Sequence, residues 1–565
     1  MSSTSELLKA KLFHKKGQLN QALEIYSEIL NKWPNNIKAK QGILKVYEGN
    51  LPSKTYSTDS KIQIQVLSNL LKTGKLADAL LYGKIVTEQS QNEPQLYNLM
   101  GMINGKLGDS EKAISYFKKL IKIQPTQHEA YNNIGIVLKN VKRFNEAIDY
   151  FNKAIKVMPT YSSPYYNLGS LYEKLNQIEN LEDLTKLASS KLQKKDPIIL
   201  LFQAQLESNK GNIERSLEIL LDLESNKLPP QFLTDFYSLC GKTFDKLGKF
   251  SEAFKSFEKQ NKLIKELNQE QLLESENFLR ETYQLKNSWQ SVQKYKPRPI
   301  NLTENDNLVF LLGFPRTGTT LLDTILMGHP DITVLEETPM AEIMVANFNG
   351  LGTPEDCYNL TKNDLIELRK LYKTELEKQL GQSNKGKLIV DKHPLNTRYI
   401  PLLHHAFPSA KFIVALRHPC DCVLSCFMQN FEFNKGTGNF ISLEKSTELY
   451  DATMGLWVAL ESKLKLSAKT VRYEDLIEDV DGICRSLISF LGIDWVDGIL
   501  DHTKTAKERV QISTASYNQV TQNIYKTAKG RWSNYESELS EILPKLDPIL
   551  KSLVIDVSNK KISTD

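Results

Sequence analysis

The sequence predicts two domains of different class, an α-helical repeat solenoid followed by an α/β domain with a central parallel sheet. Two observations lead to this prediction. In the first half of the chain, aromatic, small and proline residues recur every 34 residues, which is typical of stacked helix pairs. In the second half, short apolar runs typical of buried strands each end in polar or glycine-containing segments. A chain of 565 residues is also too long for one hydrophobic core.

The repeat unit is defined by residue types that recur at the same position. Five positions obey the period: Tyr97, Tyr131 and Tyr165; Gly101, Gly135 and Gly169; Ala113 and Ala147; Phe117 and Phe151; Pro125 and Pro159. Small residues let the two helices of a pair approach, and the proline ends the second helix, which is the tetratricopeptide pattern. Weaker copies on both sides predict roughly six or seven helix pairs over residues 1–265.

A solenoid of this kind presents a concave surface, which we expect to bind a peptide or protein partner. Asn133 and Asn167 lie one repeat apart and could hydrogen-bond a peptide backbone, although asparagines at such positions are more often tolerated surface residues. Residues 266–303 are predicted to be a capping helix and a linker, since Pro297 and Pro299 disfavour a continued helix. The α/β domain is then expected over residues 304–560.

The first polar segment of the α/β domain follows the apolar run that ends at Gly313. Gly313 and Gly318 have the GxxxxG spacing of a phosphate loop, in which backbone N–H groups and a helix N-terminus surround an anion. Thr319 stands where a nucleoside triphosphatase has its phosphate-binding lysine. We therefore expect the loop to hold a phosphate without transferring a γ-phosphoryl group. A nucleotide kinase is the disfavoured alternative.

Two further apolar runs end in charged residues, Lys392 after Leu388 to Asp391 and Arg417 after Phe412 to Leu416. Arg417 opens the pattern RxPxDxxxS, which closes at Ser425. An arginine offers a planar fork of donors that suits phosphate oxygens, and a nearby hydroxyl can complete the set. Asp421 follows a proline and is predicted to cap the next helix.

These segments together resemble sulfotransferases that use 3′-phosphoadenosine 5′-phosphosulfate (PAPS), over more than 200 residues. The stretch Glu336-Glu337-Thr338 resembles the corresponding stretch of tyrosylprotein sulfotransferases. The resemblance implies that the loop binds the 5′-phosphosulfate of PAPS. The loop residues implied as cofactor ligands are Pro315, Arg316, Thr317, Gly318, Thr319 and Thr320.

The same resemblance implies the catalytic roles. Glu337 is the expected base, and Lys392 is expected to meet the charge that develops on the sulfuryl group and the bridging oxygen. Arg316 and Ser516 are expected to stabilise negative charge on the transferring group. His393 is the alternative base, because cytosolic small-molecule sulfotransferases use a histidine in a similar stretch at a strand end.

The 3′-phosphate of PAPS is expected to have two sets of ligands. Arg417 and Ser425 match the main phosphate motif of the family. Tyr525, Lys529 and Arg531 resemble a second set, which lies on a mobile loop in the wider family. Lys529 also fits an ordinary surface lysine, and the adjacent Trp532 also fits a core residue.

The resemblance implies transfer of a sulfuryl group from PAPS to an acceptor hydroxyl on a peptide or protein, tyrosine included, that the repeats recruit. One alternative is sulfation of a small-molecule or carbohydrate hydroxyl, with the repeats binding another partner. A second alternative is a non-catalytic repeat adaptor with a relic nucleotide site. The joint presence of Arg316, Glu337, Lys392, Arg417 and Ser425 argues against such decay.

Composition limits the remaining possibilities. The net charge of +5 comes from 72 basic and 67 acidic residues, which is too small a surplus to indicate nucleic-acid binding. Six cysteines, three of them at positions 420, 422 and 426, fit a reducing compartment and lack the spacing of a zinc site, so no metal is expected. The N-terminus has no signal-peptide pattern and no apolar run could span a bilayer, so we expect a cytoplasmic protein.

Overall fold

The computed structural model describes residues 3–48, 60–90, 92–193, 196–223, 228–296, 306–346, 348, 350–380, 387–508, 520–522, 524 and 528–559. The chain divides into two compact units. The first consists of Met1–Glu173 and Gln177–Phe202, and the second of Lys174–Asn176 and Gln203–Asp565. Among the described residues, no helix is both long enough and apolar enough to cross a membrane.

The first unit is built from short helices of 12 to 14 residues, as the 34-residue period predicts. These helices are α1 Ser3–Lys15, α2 Leu19–Lys32, α3 Ile37–Glu48, α4 Ser60–Lys72, α5 Leu76–Gln89, α6 Pro94–Lys106, α7 Ser110–Ile123, α8 His128–Asn140, α9 Phe144–Val157, α10 Ser162–Lys174, α11 Ile178–Lys191 and α12 Pro197–Asn209, the last of which extends into the second unit. The prediction of a helical repeat region is confirmed.

The repeated glycines Gly101 and Gly135 permit close contact within their helix pairs. A Cβ atom added to Gly101 would lie 2.5 Å from Phe117 Cε1, and one added to Gly135 would lie 2.5 Å from Phe151 Cε1. Both phenylalanines are fully buried. In these two pairs the ring of the second helix occupies the space over the glycine of the first, which accounts for the joint recurrence of glycine and phenylalanine there.

The two asparagines considered as peptide ligands are engaged within the repeats. The Asn133 side-chain amide donates to Asn98 Oδ1 at 3.4 Å, and the Asn167 amide donates to Asn132 Oδ1 at 3.0 Å. Each contact links one repeat to the preceding repeat. Peptide binding by these amides stays a prediction, and it would have to displace or share these bonds.

The second unit adds helices around a sheet. Its helices are α13 Ile213–Asp222, α14 Pro230–Lys246, α15 Phe250–Leu267, α16 Leu272–Ser291, α17 Thr319–Met327, α18 Met340–Ala346, α19 Pro354–Asn359, α20 Lys362–Leu380, α21 Ile400–Ala406, α22 Pro419–Phe427, α23 Leu443–Lys463, α24 Tyr473–Leu476, α25 Val480–Leu491, α26 His502–Glu508, α27 Glu536–Leu539 and α28 Leu543–Asn559. Its strands are β1 Leu308–Gly313, β2 Ile332–Glu336, β3 Leu388–Lys392, β4 Lys411–Leu416 and β5 Ser467–Arg472.

The five strands form one parallel sheet in the order β2-β3-β1-β4-β5, which confirms the predicted α/β class. Alternate residues of β1 pack on opposite faces of the sheet. Phe310 and Leu312 belong to the core on one face, while Val309 and Leu311 belong to the core on the other. Because all strands run the same way, their carboxyl ends share one edge, which is where such sheets bind ligands.

Helices α14 to α16 share the hydrophobic core of the α/β domain. Phe257 of α15 and Trp289 of α16 are buried in the same cluster as Phe310 of the central strand. The Trp289 indole N–H donates to the Gly352 carbonyl at 3.0 Å, and the Asn261 amide donates to the Phe427 carbonyl at 2.8 Å. The observed division after Phe202 therefore differs from the predicted domain end at residue 265.

The predicted capping helix and linker begin within the second unit. The stretch is helical through α16 to Ser291, and this helix is integral to the core through Trp289. The prolines Pro297 and Pro299 lie outside the described residues. The assignment of functional domains to 1–265, 266–303 and 304–560 stays a prediction.

Candidate active site

The phosphate loop connects β1 to α17 and has a left-handed backbone at two positions. Gly318 has φ +93°, and a Cβ atom there would lie 2.7 Å from Tyr473 Cδ2. Arg316 has φ +71° although it carries a side chain. Such conformations cost free energy in non-glycine residues and cluster at functional sites. The loop leads into the N-terminus of α17 at Thr319, and the N-terminus of a helix suits an anion.

The loop threonines face inwards. Thr317 Oγ1 donates to the Phe314 carbonyl at 2.7 Å, and Thr317, Thr319 and Thr320 are all buried. Pro315 is half-buried at the start of the loop. These side chains shape the loop from within, so we expect phosphate oxygens to meet mainly its backbone.

Arg316, Arg417 and Ser425 meet beside the loop. The Arg316 Nε donates to Ser425 Oγ at 3.0 Å, and Arg417 Nη1 donates to the Arg316 carbonyl at 3.0 Å. The Arg417 guanidinium also lies over the Tyr473 ring, 4.8 Å from its centroid. Its buried Nε has no hydrogen-bond partner in the part of the chain that the structure describes. An unmatched donor of this kind fits a site for an anion.

Lys392 ends β3 and is completely buried among carboxylates. Its Nζ lies 3.3 Å from Asp323 Oδ2, 3.2 Å from Glu336 Oε1 and 3.2 Å from Glu337 Oε1. Burial alone would lower the pKa of Lys392, but the attraction of Glu337, Asp323 and Glu336 outweighs it and raises the pKa. The lysine is therefore charged at neutral pH and fixes the position of Glu337.

Glu337 follows β2 in a left-handed conformation with φ +48°. Its backbone N–H donates to the Lys392 carbonyl at 2.8 Å, which continues the β2–β3 pairing by one residue. The turn lets both neighbouring glutamates reach Lys392, yet the two differ in access. The Glu337 side chain is 36% exposed and the Glu336 side chain only 9%, so Glu337 is the one that an acceptor can reach.

His393, the alternative base, lies next to Lys392. Burial lowers the pKa of His393, although Glu337 opposes the shift, so the ring is neutral at pH 7. Its Nδ1 is buried and has no hydrogen-bond partner among the described residues. A neutral imidazole is chemically able to accept a proton, and the choice between the two bases therefore needs an experiment.

The C-terminal segment 528–535 contacts the phosphate motif through Asp421. The Asp421 carboxylate accepts the backbone N–H of Gly530 at 2.8 Å and that of Trp532 at 2.9 Å. The prediction that Asp421 is a helix N-cap is wrong, since α22 begins at Pro419 with His418 at the cap position. The Trp532 ring stacks on His418, with centroids 5.2 Å apart and planes within 5°.

Of the second set of predicted phosphate ligands, Lys529 and Arg531 each form an ion pair with a carboxylate. Lys529 pairs with Glu478 at 3.2 Å, and both side chains are nearly half exposed. Arg531 Nη2 pairs with Asp245 Oδ2 of α14 at 2.7 Å. Ser516 and Tyr525 lie outside the described residues. Phosphate binding by Lys529 and Arg531, like the roles of the other two, stays a prediction.

Three residues at the site escaped the sequence analysis. Asp323 of α17 is fully buried against Lys392, Tyr473 lies against both the loop and Arg417, and Glu474 accepts the His418 backbone N–H at 2.8 Å. A usable signal existed for Asp323, because it lies one helical turn after Thr319 and is the one charged residue of α17. Across the described ranges, no group of three or more His, Cys, Asp or Glu residues is arranged to hold a metal ion.

Comparisons with known proteins agree with both halves of this description. Residues 308–497 match the sulfotransferase family, and residues 5–36, 94–127 and 128–161 match tetratricopeptide repeats. An uncharacterized protein of Aquifex aeolicus is 25% identical over 393 residues, 68% of this chain and 50% of its own length. This chain thus spans half the length of that relative.

Two further relatives are named as enzymes. A putative protein-tyrosine sulfotransferase of Caenorhabditis briggsae is 24% identical over 46% of this chain and 93% of its own length. Protein-tyrosine sulfotransferase 1 of Danio rerio is 25% identical over 40% of this chain and 65% of its own length. With the parallel sheet and the strand-end cluster described above, these matches show that the chain joins tetratricopeptide repeats to a domain of the sulfotransferase family.

Proposed function

We propose that the protein transfers a sulfuryl group from PAPS to a hydroxyl of a peptide or protein acceptor, tyrosine included. The observation that carries the proposal is the meeting of two clusters at one sheet edge. Arg316, Arg417 and Ser425 lie beside the phosphate loop. Glu337 Oε1 lies 3.2 Å from Lys392 Nζ at the end of β3. The relatives named protein-tyrosine sulfotransferases support the acceptor class.

The residues fit the phosphates of PAPS. The loop backbone and the start of α17 suit the 5′-phosphosulfate, while Arg417, with its buried unmatched Nε, and Ser425 suit the 3′-phosphate. When bound, PAPS supplies an activated sulfuryl group whose bond to the 5′-phosphate oxygen breaks as the acceptor oxygen bonds to sulfur. No residue needs to form a covalent intermediate.

The chain's own residues then handle protons and charge. Glu337 takes the acceptor proton through its exposed carboxylate, and Lys392 holds that carboxylate in place. Arg316 supplies fixed positive charge next to the loop, where negative charge develops. As in phosphoryl transfer, positioning and electrostatics provide most of the rate. Incubation with PAPS labelled in the sulfuryl group and a proteome extract tests the proposal: label should enter protein, and at low PAPS at least about tenfold less label should enter with Arg417→Ala.

The cofactor assignment predicts a selective loss of affinity. Arg417→Ala should weaken binding of the product 3′-phosphoadenosine 5′-phosphate (PAP) by about 1.5–3 kcal/mol, because charge-assisted hydrogen bonds to the 3′-phosphate are lost. Adenosine 5′-phosphosulfate lacks that phosphate, so its affinity should hardly change. Calorimetry with both nucleotides measures the difference. Arg485→Ala is the matched control, since that arginine pairs with Asp481 on the surface. Equal losses for both nucleotides would contradict the assignment.

The recruitment role predicts which kinetic parameter the repeats change. A chain beginning at Asp196 keeps α12 whole and the second unit from Gln203 onwards, so it should bind PAP and sulfate a short peptide like the full chain. On the natural protein acceptor we expect at least about a 10-fold loss in kcat/KM, about 1.4 kcal/mol, since remote contacts contribute equally to ground and transition states. Undiminished activity on that acceptor would rule out recruitment.

A chain beginning at Asn268 is the contrasting truncation. It lacks α14 and α15, and therefore Phe257 and the Asn261 amide that donates to the Phe427 carbonyl. We expect this chain to melt well below the one beginning at Asp196 and to lose all activities together.

A further inference from the structure

The carboxylate of Asp245 contacts two residues of the C-terminal segment at once. Asp245 lies near the end of α14, between the repeat-like glycines Gly241, which is in the helix, and Gly248, which follows the helix end at Lys246. Its Oδ2 lies 2.7 Å from Arg531 Nη2, and its Oδ1 accepts the Tyr535 hydroxyl at 2.6 Å. One side chain thus holds both ends of the 3₁₀ helix Arg531–Tyr535.

The contact is partly shielded from water. The Asp245 side chain is 17% exposed, and the Tyr535 ring is buried edge to face against Phe250 of α15 at 5.2 Å between centroids. Burial would lower the pKa of Arg531, but Asp245 outweighs it and raises that pKa. An ion pair of this kind restricts its arginine to one position more firmly than a fully exposed pair does.

The same segment is held from its other side by the phosphate motif. Asp421 accepts the N–H groups of Gly530 and Trp532, and Arg417 Nη2 donates to the Ala528 carbonyl. Segment 528–535 is therefore held between two carboxylates, Asp421 of α22 and Asp245 of α14. Neither carboxylate alone fixes both the backbone and the Arg531 side chain.

We propose that Asp245 is a positioning residue for the PAPS site, so that the helix pair α14–α15 forms part of the cofactor-binding apparatus. Asp245 acts through Arg531: before the nucleotide arrives, it holds the guanidinium in place, and with it the segment whose Ala528 carbonyl accepts from Arg417. The inference rests on the proposed function, because Arg531 is a cofactor ligand only if PAPS binds here. The proposal adds to the cofactor site a residue of α14, which lies outside the phosphate motifs.

The test uses full-length Asp245→Asn, which keeps the shape and removes the charge. The KM for PAPS and the Kd for PAP should rise about 5- to 20-fold, while kcat at saturating PAPS stays within about threefold, because the reacting groups are untouched. Asp235→Asn is the control, since Asp235 is on the same helix and accepts from the Asn430 amide at 2.7 Å. Both nucleotide constants should stay at the wild-type value in that variant.

A double variant identifies the route of the effect. If Asp245 acts through Arg531, Asp245→Asn with Arg531→Gln should bind PAP no more weakly than Arg531→Gln alone. Fully additive losses would overturn the proposed route. Unchanged PAP affinity in Asp245→Asn would overturn the proposal. So would tighter binding, because the carboxylate would then compete with the phosphate.

Hydrogen exchange separates this proposal from the proposed function. Without nucleotide, the amides of residues 528–535 should exchange faster in Asp245→Asn than in the wild type and in Asp235→Asn. Unchanged exchange would overturn the positioning role even if PAP binds. If the wild type fails to bind PAP but the amides of Asp245→Asn still exchange faster, the proposed function is wrong. Asp245 would then stabilise segment 528–535 without any role in binding the cofactor.

Discussion

Glu337→Gln should lower kcat by about 10² to 10⁴ while PAP affinity is retained. The amide keeps the shape of the carboxylate and can still accept from Lys392, so the nucleotide site should be undisturbed. It cannot take the acceptor proton, and loss of a general base has an effect of this size. Single-turnover kinetics at saturating PAPS, with PAP calorimetry on the same sample, gives both quantities.

Two neighbouring variants make this prediction sharper. Glu336→Gln also removes a carboxylate 3.2 Å from Lys392, but Glu336 is buried, so its loss should slow transfer by less than tenfold. His393→Asn should likewise cost less than tenfold. If His393→Asn is the inactive variant and Glu337→Gln is not, the histidine is the base. If Glu336→Gln is as damaging as Glu337→Gln, the common role is to hold Lys392.

Lys392→Met should destabilise the fold by about 3–5 kcal/mol, because three carboxylates would be left around a buried position without their cation. Denaturant unfolding measures this change. Where the variant is still folded, transfer should be at least about 10²-fold slower, as for loss of a fixed charge-stabilising group. Lys411→Met is the control, since Lys411 donates to the carbonyls of Phe490 and Leu491, and its loss should cost about 1 kcal/mol.

The loss in Lys392→Met should also depend on pH. Unpaired buried carboxylates have folded-state pKa values above their unfolded ones, so ionisation at neutral pH penalises the folded state and protonation relieves the penalty. The stability gap between variant and wild type should therefore narrow as the pH falls from 8 to 5. A gap that widens on acidification would mean that the carboxylates do not form the proposed cluster.

The strand ends and the phosphate loop were predictable because their signals are local. An apolar run followed by Gly313, Lys392 or Arg417 predicts a strand end within about ten residues of sequence. Parallel strands bring such ends together at one edge of the sheet. Asp421 was misassigned for the same reason. A proline before an aspartate suggests a local cap, whereas its real partners, Gly530 and Trp532, are distant in sequence.

The limit of the repeat region was harder to predict because the repeat signal is the same on both sides of the division. Gly241 meets Phe257 as Gly101 meets Phe117, with a Cβ contact of 2.6 Å in the first case and 2.5 Å in the second. Yet Phe257 also belongs to the core of the α/β domain. The repeat pattern reflects contacts within one helix pair. It therefore does not predict which other part of the chain packs against the outer surface of that pair.

The strand order has a consequence for the order in which the protein folds during synthesis. In the repeats, a helix finds its partner within the next few tens of residues, so each pair can form soon after it leaves the ribosome. Strand β1 can pair only after β3 and β4 have been synthesised, because Leu308 pairs with Ile389 and Val309 with Lys411. Until β4 has been made, the apolar sides of α15 and α16 have no sheet to cover them. We therefore expect these two helices to expose apolar surface on the nascent chain, which favours aggregation at that stage.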